Sequence, residues 1–331
     1  MTPRDRVINT IFRQIYHPLP TVLTFPRDYA QENPGASEEL QRRFPSDVEF
    51  LDYVHFPNQG MDAYVDAWGC IWKRDAIGQY YFEDQPICGN YDQLNDLVLS
   101  PIPVQSREIE NVNRFCEKST RFVVANIPLR MFERLQTLLG QKQALLGVRK
   151  MQSDILAFLD RLFENYMKQL DIWCQSDVDA ICMADAWVHD DERTVSPERW
   201  REVFGPYWKK FTEKIRNSDK FVYFQSEGNY EAFIPSLIDC GVEVIRYNCL
   251  DMDNHLLSER YGSQVAFHAV LPVDLMAQES DEVISQKILD VRQAFHHRHP
   301  LITECRFRAH TPLSKVTVSM LNWKRRMPAG Q

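Results

Sequence analysis

Eight short apolar runs, separated by longer stretches with helical spacing, constrain this 331-residue chain more than any other feature. They cover residues 21–25, 48–54, 121–127, 180–184, 221–224, 242–247, 265–270 and 301–305. Strands that alternate with helices are the pattern of βαβ units around a parallel sheet. Strands in such a sheet are buried on both faces, so they read as apolar runs and do not alternate with polar residues. The intervening stretches support this. From Met151 to Gln169, apolar residues recur at Ile155, Phe158, Leu159, Leu162, Phe163 and Tyr166, which is helical spacing. Ser196-Pro197 opens another helix, with Ser196 as the cap and Pro197 in the first turn. A shorter helix over 230–239 ends at Cys240-Gly241. The fold expected is α/β, a single TIM-type (β/α)₈ barrel over residues 1–331. One span breaks the alternation: residues 57–120, with its aromatic segments at 66–72 and 79–82, reads as an N-terminal excursion or added hairpin.

Charge and composition narrow the function. The formal net charge is −8, from 46 acidic and 38 basic residues, and no long basic run is present. Such a chain is a poor partner for nucleic acid or an anionic membrane. Lys324-Arg325-Arg326 reads as a solvated tail. No stretch approaches the roughly 20 apolar residues of a membrane span, and the first residues lack the apolar core of a signal peptide. The eight cysteines are widely spaced and none forms a C-x-x-C pair, which suits reduced thiols in a cytoplasm.

Several short segments occur in a definite order. Asp185 ends a strand. Val195-Ser196-Pro197-Glu198-Arg199-Trp200-Arg201 follows, then Phe204-Gly205-Pro206-Tyr207-Trp208-Lys209. Next comes a strand ending Gln225-Ser226-Glu227-Gly228, then the segment from Ile234-Pro235 to Gly241-Val242, then Tyr261-Gly262 ahead of Val265-Ala266-Phe267-His268. Thr2-Pro3-Arg4-Asp5-Arg6-Val7 stands at the start, and Cys305 with Thr311-Pro312-Leu313 near the end. In this order the segments resemble the uroporphyrinogen decarboxylase superfamily. They lie closer to its cobamide-dependent methyltransferase branch than to authentic uroporphyrinogen decarboxylase. The resemblance is thinnest between residues 27 and 120.

That resemblance implies a barrel enzyme whose reacting groups lie at the C-terminal ends of the strands. It implies a methyl group passing between a small O-, N- or S-methyl substrate and a cobalamin carried by a partner corrinoid protein. The methyltransferases of the group hold zinc through a His-x-Cys-Gly motif and a distant Cys. Here those positions are Gln225, Glu227 and Cys305, so one ligand is kept, and Glu is a competent replacement whereas Gln is not a usual zinc ligand. The decarboxylases use no metal and place basic residues after the first strand, where this chain offers only Arg27. The residues expected to do chemistry are therefore Glu227, His268 and Asp185. Trp187, Asn248, Gln225 and Trp68 are expected to bind substrate, and Cys305, Glu227 and Gln225 to face a metal. Each has a plainer reading. Cys305 can be a buried small hydrophobe, Asp185 a helix cap, His268 a satisfied core histidine, and Trp68, Trp72 and Trp187 core packing. His296-His297-Arg298-His299 fits a solvated helix end. Besides methyl transfer, a metal-independent decarboxylase-like lyase and a catalytically silent ligand-binding barrel stay open.

Overall fold

A computed structural model of the chain describes residues 1–14, 18–52, 62–66, 68–74, 80–87, 90–99, 106–127, 129–188, 195–296, 299–308 and 310–327. Its strands are β1 Thr21–Thr24, β2 Val48–Asp52, β3 Ala63–Val65, β4 Ile71–Arg74, β5 Tyr80–Asp84, β6 Phe122–Asn126, β7 Ala180–Ala184, β8 Phe221–Gln225, β9 Val244–Asn248, β10 Ala266–Leu271 and β11 Leu301–Arg306. Eight of them pair in the order β1-β11-β10-β9-β8-β7-β6-β2, with every neighbour parallel. Helices alternate with them. Each of the eight apolar runs is a strand of this nearly closed barrel. The span that broke the alternation carries a separate three-stranded antiparallel sheet, β3-β4-β5. The side chain of Arg27 and residues 297–298 of the histidine run lie outside the described residues.

The barrel explains why its strands read as unbroken apolar runs. Alternate residues face opposite sides. Val22, Phe122, Ala180, Tyr223, Val244 and Ile302 point inward and meet each other, while their chain neighbours Leu23, Val123, Ile181, Phe224, Ile245 and Leu301 pack against the surrounding helices. Both faces are buried, so a charged residue within a strand needs a partner.

The N-terminal end of the barrel is plugged. The helix Pro3–Ile11 begins in a capping box, with Asp5 N donating to Thr2 Oγ1 at 3.1 Å and Thr2 N to Asp5 Oδ2 at 2.9 Å. Its Val7 and Ile11 enter the inner core. Its Arg6 pairs with Asp47 at 2.5 Å, and Arg4 Nε donates to Asp179 Oδ1 at 2.6 Å. Asp47 and Asp179 do a second job. Each stands just before a strand, and each carboxylate accepts a backbone N–H of the strand before it in barrel order: Asp47 from Thr21 at 2.8 Å, Asp179 from Val123 at 2.8 Å. Glu243, just before β9, repeats the arrangement with Val222 N at 3.0 Å. Three carboxylates thus tie alternate strand gaps at this end. At the β1–β2 seam, where no strand ladder forms, Asp47 and Ser46 carry the closure; Leu23 N donates to Ser46 Oγ at 2.9 Å. The opposite, C-terminal end of the strands is left for a site.

The small sheet follows β2 in the chain and docks on the helix Met131–Leu139. Cys70 Sγ contacts the carbonyl of Thr137 at 3.3 Å, Ile87 N donates to Leu138 O at 3.2 Å, and the Arg134 guanidinium lies 4.6 Å from the centre of the Trp68 ring. Among the described residues no helix is long and apolar enough to cross a membrane.

The seam makes a testable demand. Asp47→Ala removes a buried carboxylate and leaves Thr21 N without its acceptor, so a loss of about 3 kcal/mol in urea unfolding is expected. Arg6→Ala, whose side chain is partly solvated, should cost about 1 kcal/mol or less. Equal losses would show that the ion pair, and not the carboxylate–backbone bond, closes the seam.

Candidate active site

Inside an apolar strand a charge is tolerated only with a partner. Arg246 on β9 and Glu304 on β11 both take inward positions, and they meet. Arg246 Nε donates to Glu304 Oε2 at 2.9 Å, and Nη2 donates to Oε1 at 2.9 Å and to Oε2 at 2.8 Å. The two residues are 9% and 0% exposed. β10 lies between their strands, and its inward His268 places Nε2 at 3.2 Å from Glu304 Oε2. Thr24 of β1 donates its hydroxyl to Glu304 Oε1 at 2.8 Å. Arg306, two residues further along β11, brings Nε to 3.6 Å from the same oxygen. On the other side Arg246 Nη1 donates to Gln225 Oε1 at the end of β8, and its guanidinium stacks 4.6 Å over the ring of Phe50. Side chains of six strands, β8 to β11 with β1 and β2, thus converge on one carboxylate or its guanidinium partner near the C-terminal end of the barrel.

The electrostatics follow from this packing. Burial works to raise the Glu304 pKa, but Arg246, then His268 and Arg306, outweigh it and hold the carboxyl well below its ordinary range. Burial lowers the His268 pKa, against the pull of Glu304, so the imidazole is neutral. The Tyr223 hydroxyl lies deeper in the lumen, fully buried and without a hydrogen-bond partner among the described residues. Its ring meets that of His268 edge-on at 6.2 Å.

The sequence profile of the uroporphyrinogen decarboxylase (URO-D) family matches residues 138–324, which include β7 to β11 and most of this cluster. The chain is a member of the URO-D family. Its fold is similar to that of a methyltransferase from Methanosarcina mazei, with a TM-score of 0.72 at 15% identity over 98% of each chain. Weaker likenesses reach a D-psicose 3-epimerase from Clostridium cellulolyticum H10 and a glycoside hydrolase family 10 endo-β-1,4-xylanase from Gloeophyllum trabeum. The first has a TM-score of 0.47 at 8% identity over 91% of this chain and 96% of that one; the second, 0.42 at 12% over 68% and 82%. A comparison with curated proteins finds no match.

Within this URO-D barrel the residues singled out in the sequence separate into groups. His268 and Gln225 belong to the cluster. Asn248 ends β9 on the same inward face, and its Oδ1 accepts Leu250 N at 3.0 Å. Glu227 is exposed in the loop after β8. Asp185 is buried at the end of β7 but occupied. It accepts Phe132 N at 3.0 Å and Glu133 N at 2.8 Å, capping the helix Met131–Leu139, and Trp187 Nε1 at 3.0 Å. Trp187 stacks on Phe224 at 5.0 Å and meets Trp200 edge-on in the outer aromatic layer. Trp68 is buried under Arg134 in the dock of the small sheet.

The zinc expectation needs correction. Glu304 and Arg306 face the lumen, so Cys305 between them faces the helices and sits in the outer apolar core. Burial, reinforced by the charge of Glu304, pushes its thiol up to about 12. Gln225 is engaged by Arg246. Among the described residues no three His, Cys, Asp or Glu side chains are arranged to hold a metal ion. Cys305, Glu227 and Gln225 therefore do not make a fit for zinc.

Arg246 and Glu304 were missed as site residues. The signal was present: charges at inward positions of otherwise apolar barrel strands, Arg246 in β9 and Glu304 in β11. Elsewhere, a groove of about 520 Å³ between the helices Ser153–Cys174 and Gly205–Arg216, lined by Phe163, Tyr207 and Lys210, shares no residue with the barrel mouth.

Two outcomes are expected. Arg246→Met strands a buried carboxylate and should destabilise the fold by about 3–5 kcal/mol, whereas adding Glu304→Leu should restore most of that in the same denaturation series. Asp185 gives a pH signature. Burial raises its pKa to about 6, so the folded chain binds an extra proton between the ordinary carboxyl range and that value. Stability should fall as pH rises through that window, from about 4 to 6, and Asp185→Asn should flatten the slope.

Proposed function

We propose that this URO-D family chain is a methyltransferase that moves a methyl group between a small O-, N- or S-methyl substrate and a cobalamin carried by a partner corrinoid protein. The observation that carries the reading is the buried Arg246–Glu304 pair at the C-terminal end of a barrel that matches a methyltransferase fold along its whole length. A fixed guanidinium in a low-dielectric lumen is a preorganised positive group for the heteroatom that gains electron density as the methyl group leaves. Glu304 anchors that guanidinium, and Thr24 anchors Glu304 in turn, with the His268 imidazole packed beside it at 3.2 Å. Saturated with donors, Glu304 positions its neighbours and does not exchange protons. Glu227, exposed in the loop after β8, is the carboxylate left to trade a proton with the departing or accepting heteroatom. Zinc has no part in this scheme.

A second reading, a metal-independent decarboxylase-like lyase, is favoured by one feature. Arg246 and Arg306 put two guanidiniums beside the same mouth.

The test is spectrophotometric. Purified chain is mixed with methylcobalamin, free or bound to a corrinoid protein, and with a panel of thiols, amines and phenols. The spectrum of methylcobalamin should decay in an enzyme-dependent way, unchanged by a strong chelator. Arg246→Lys should slow it by about 10²-fold or more, since a point charge cannot keep the bidentate geometry. No transfer to any acceptor, alongside release of CO₂ from small carboxylic acids, would replace this reading with the lyase.

A further inference from the structure

The cluster holds more positive charge than its own neutrality requires. Glu304 is served by Arg246 through three hydrogen bonds, by Thr24 at 2.8 Å and by His268 at 3.2 Å. Arg306 adds a second guanidinium to a carboxylate that is already matched. It ends β11 on the inward face, and its side chain is 48% exposed, whereas that of Arg246 is 10% exposed. Glu304 is the one carboxylate within ion-pair distance of Arg306 among the described residues, and it is held only through Nε at 3.6 Å. Arg308, the next cation along, is committed elsewhere, to Asp274 at 2.7 Å. Further round the barrel, the ends of β8 and β9 carry the neutral amides Gln225 and Asn248. With His268 neutral, two guanidiniums against one carboxylate leave a net charge of about +1 within this cluster, on a chain whose overall charge is −8, while Glu227 stands apart in the exposed loop after β8.

We propose that Arg306 is the recognition point for an anionic oxygen-bearing group on the substrate, a carboxylate, sulfonate or phosphate, with the Arg246–Glu304 pair as its rigid floor. A planar guanidinium presents paired N–H donors that match two oxygens of such a group. The floor matters because Glu304 draws Nε only loosely, at 3.6 Å, and the half-exposed guanidinium keeps donors to offer a ligand. The substrate is then small and anionic at one end, with its reacting atom held beside Arg246. This rests on the mouth being the substrate site, and it does not require that the reaction be methyl transfer.

Binding, not turnover, tests it. The full-length protein is titrated with acetate, methanesulfonate and inorganic phosphate at constant ionic strength made up with chloride, with acetamide as the uncharged match for acetate. Thermal shift and calorimetry are the readouts. At least one of the three anions should raise the unfolding temperature in a saturable way, and acetamide should not. Preference among the three identifies the group. Arg306→Ala should weaken the apparent Kd tenfold or more while leaving the unfolding temperature in chloride alone unchanged. Arg306→Lys should retain part of the affinity, and Arg308→Ala should behave as wild type. Absence of saturable binding for all three anions, or equal binding by Arg306→Ala, overturns the proposal. Anion binding that depends on Arg306 in a protein inactive toward methylcobalamin would sink methyl transfer and leave this inference standing.

Discussion

The ion pair between Arg246 and Glu304 is the constraint on which the upper half of the barrel depends. A buried pair of this kind adds little net stability, because desolvation offsets most of its attraction. It does select one arrangement. Side chains alternate along a strand, so a slip of one residue in β11 would send Glu304 into the apolar outer layer and bring Cys305 inside. The penalty for either charge alone in the lumen then enforces the register of β9, β10 and β11 together. Thr24 extends the same demand to β1 and Gln225 extends it to β8. The cluster is a lock on strand alignment as well as a candidate reaction centre.

The fold was legible because burial on both faces leaves a simple trace. Each barrel strand showed as an apolar run, and Ser196-Pro197 and Cys240-Gly241 marked real helix boundaries; Gly241 takes the left-handed conformation at φ 101°. The site was legible only in part. His268 and Gln225 were found because their residue types suggest chemistry. Arg246 and Glu304 were passed over because each looks like an ordinary charge until its partner, 58 residues away, is seen. Cys305 was chosen for its position relative to Thr311-Pro312, yet the parity of the strand, set by Glu304, turns it outward. Asp185 and Trp187 were placed at the mouth by strand-end logic. Packing gives them to a helix cap and an aromatic layer.

These placements bear on what the barrel can do. A zinc site of the His-x-Cys-Gly and distant-Cys kind would require cysteines that face the lumen. The lumen instead offers a carboxylate saturated with donors, a neutral imidazole and two guanidiniums. Such a set supplies fixed positive potential at no reorganisation cost, which suits a reaction that builds negative charge on a heteroatom or carries an anionic substrate. On the proposed function, the inward ends of β8, β9 and β11 are where the choice between them would be made.

The placement of β1 has a consequence for how the chain is made. β1 pairs with β11, and Thr24 binds Glu304, so β1 waits for a partner made 280 residues later. Until residues near 306 emerge, Arg246 lacks its anion and β10 exposes an unpaired edge. Nascent chains therefore pass through a long interval as an open sheet with two sticky margins, the state from which barrels pair with the wrong neighbour. The plug helix eases this interval. Its Arg4 and Arg6 can engage Asp179 and Asp47 before the C-terminal third exists, holding the early strands in a curved arc that a later strand can complete.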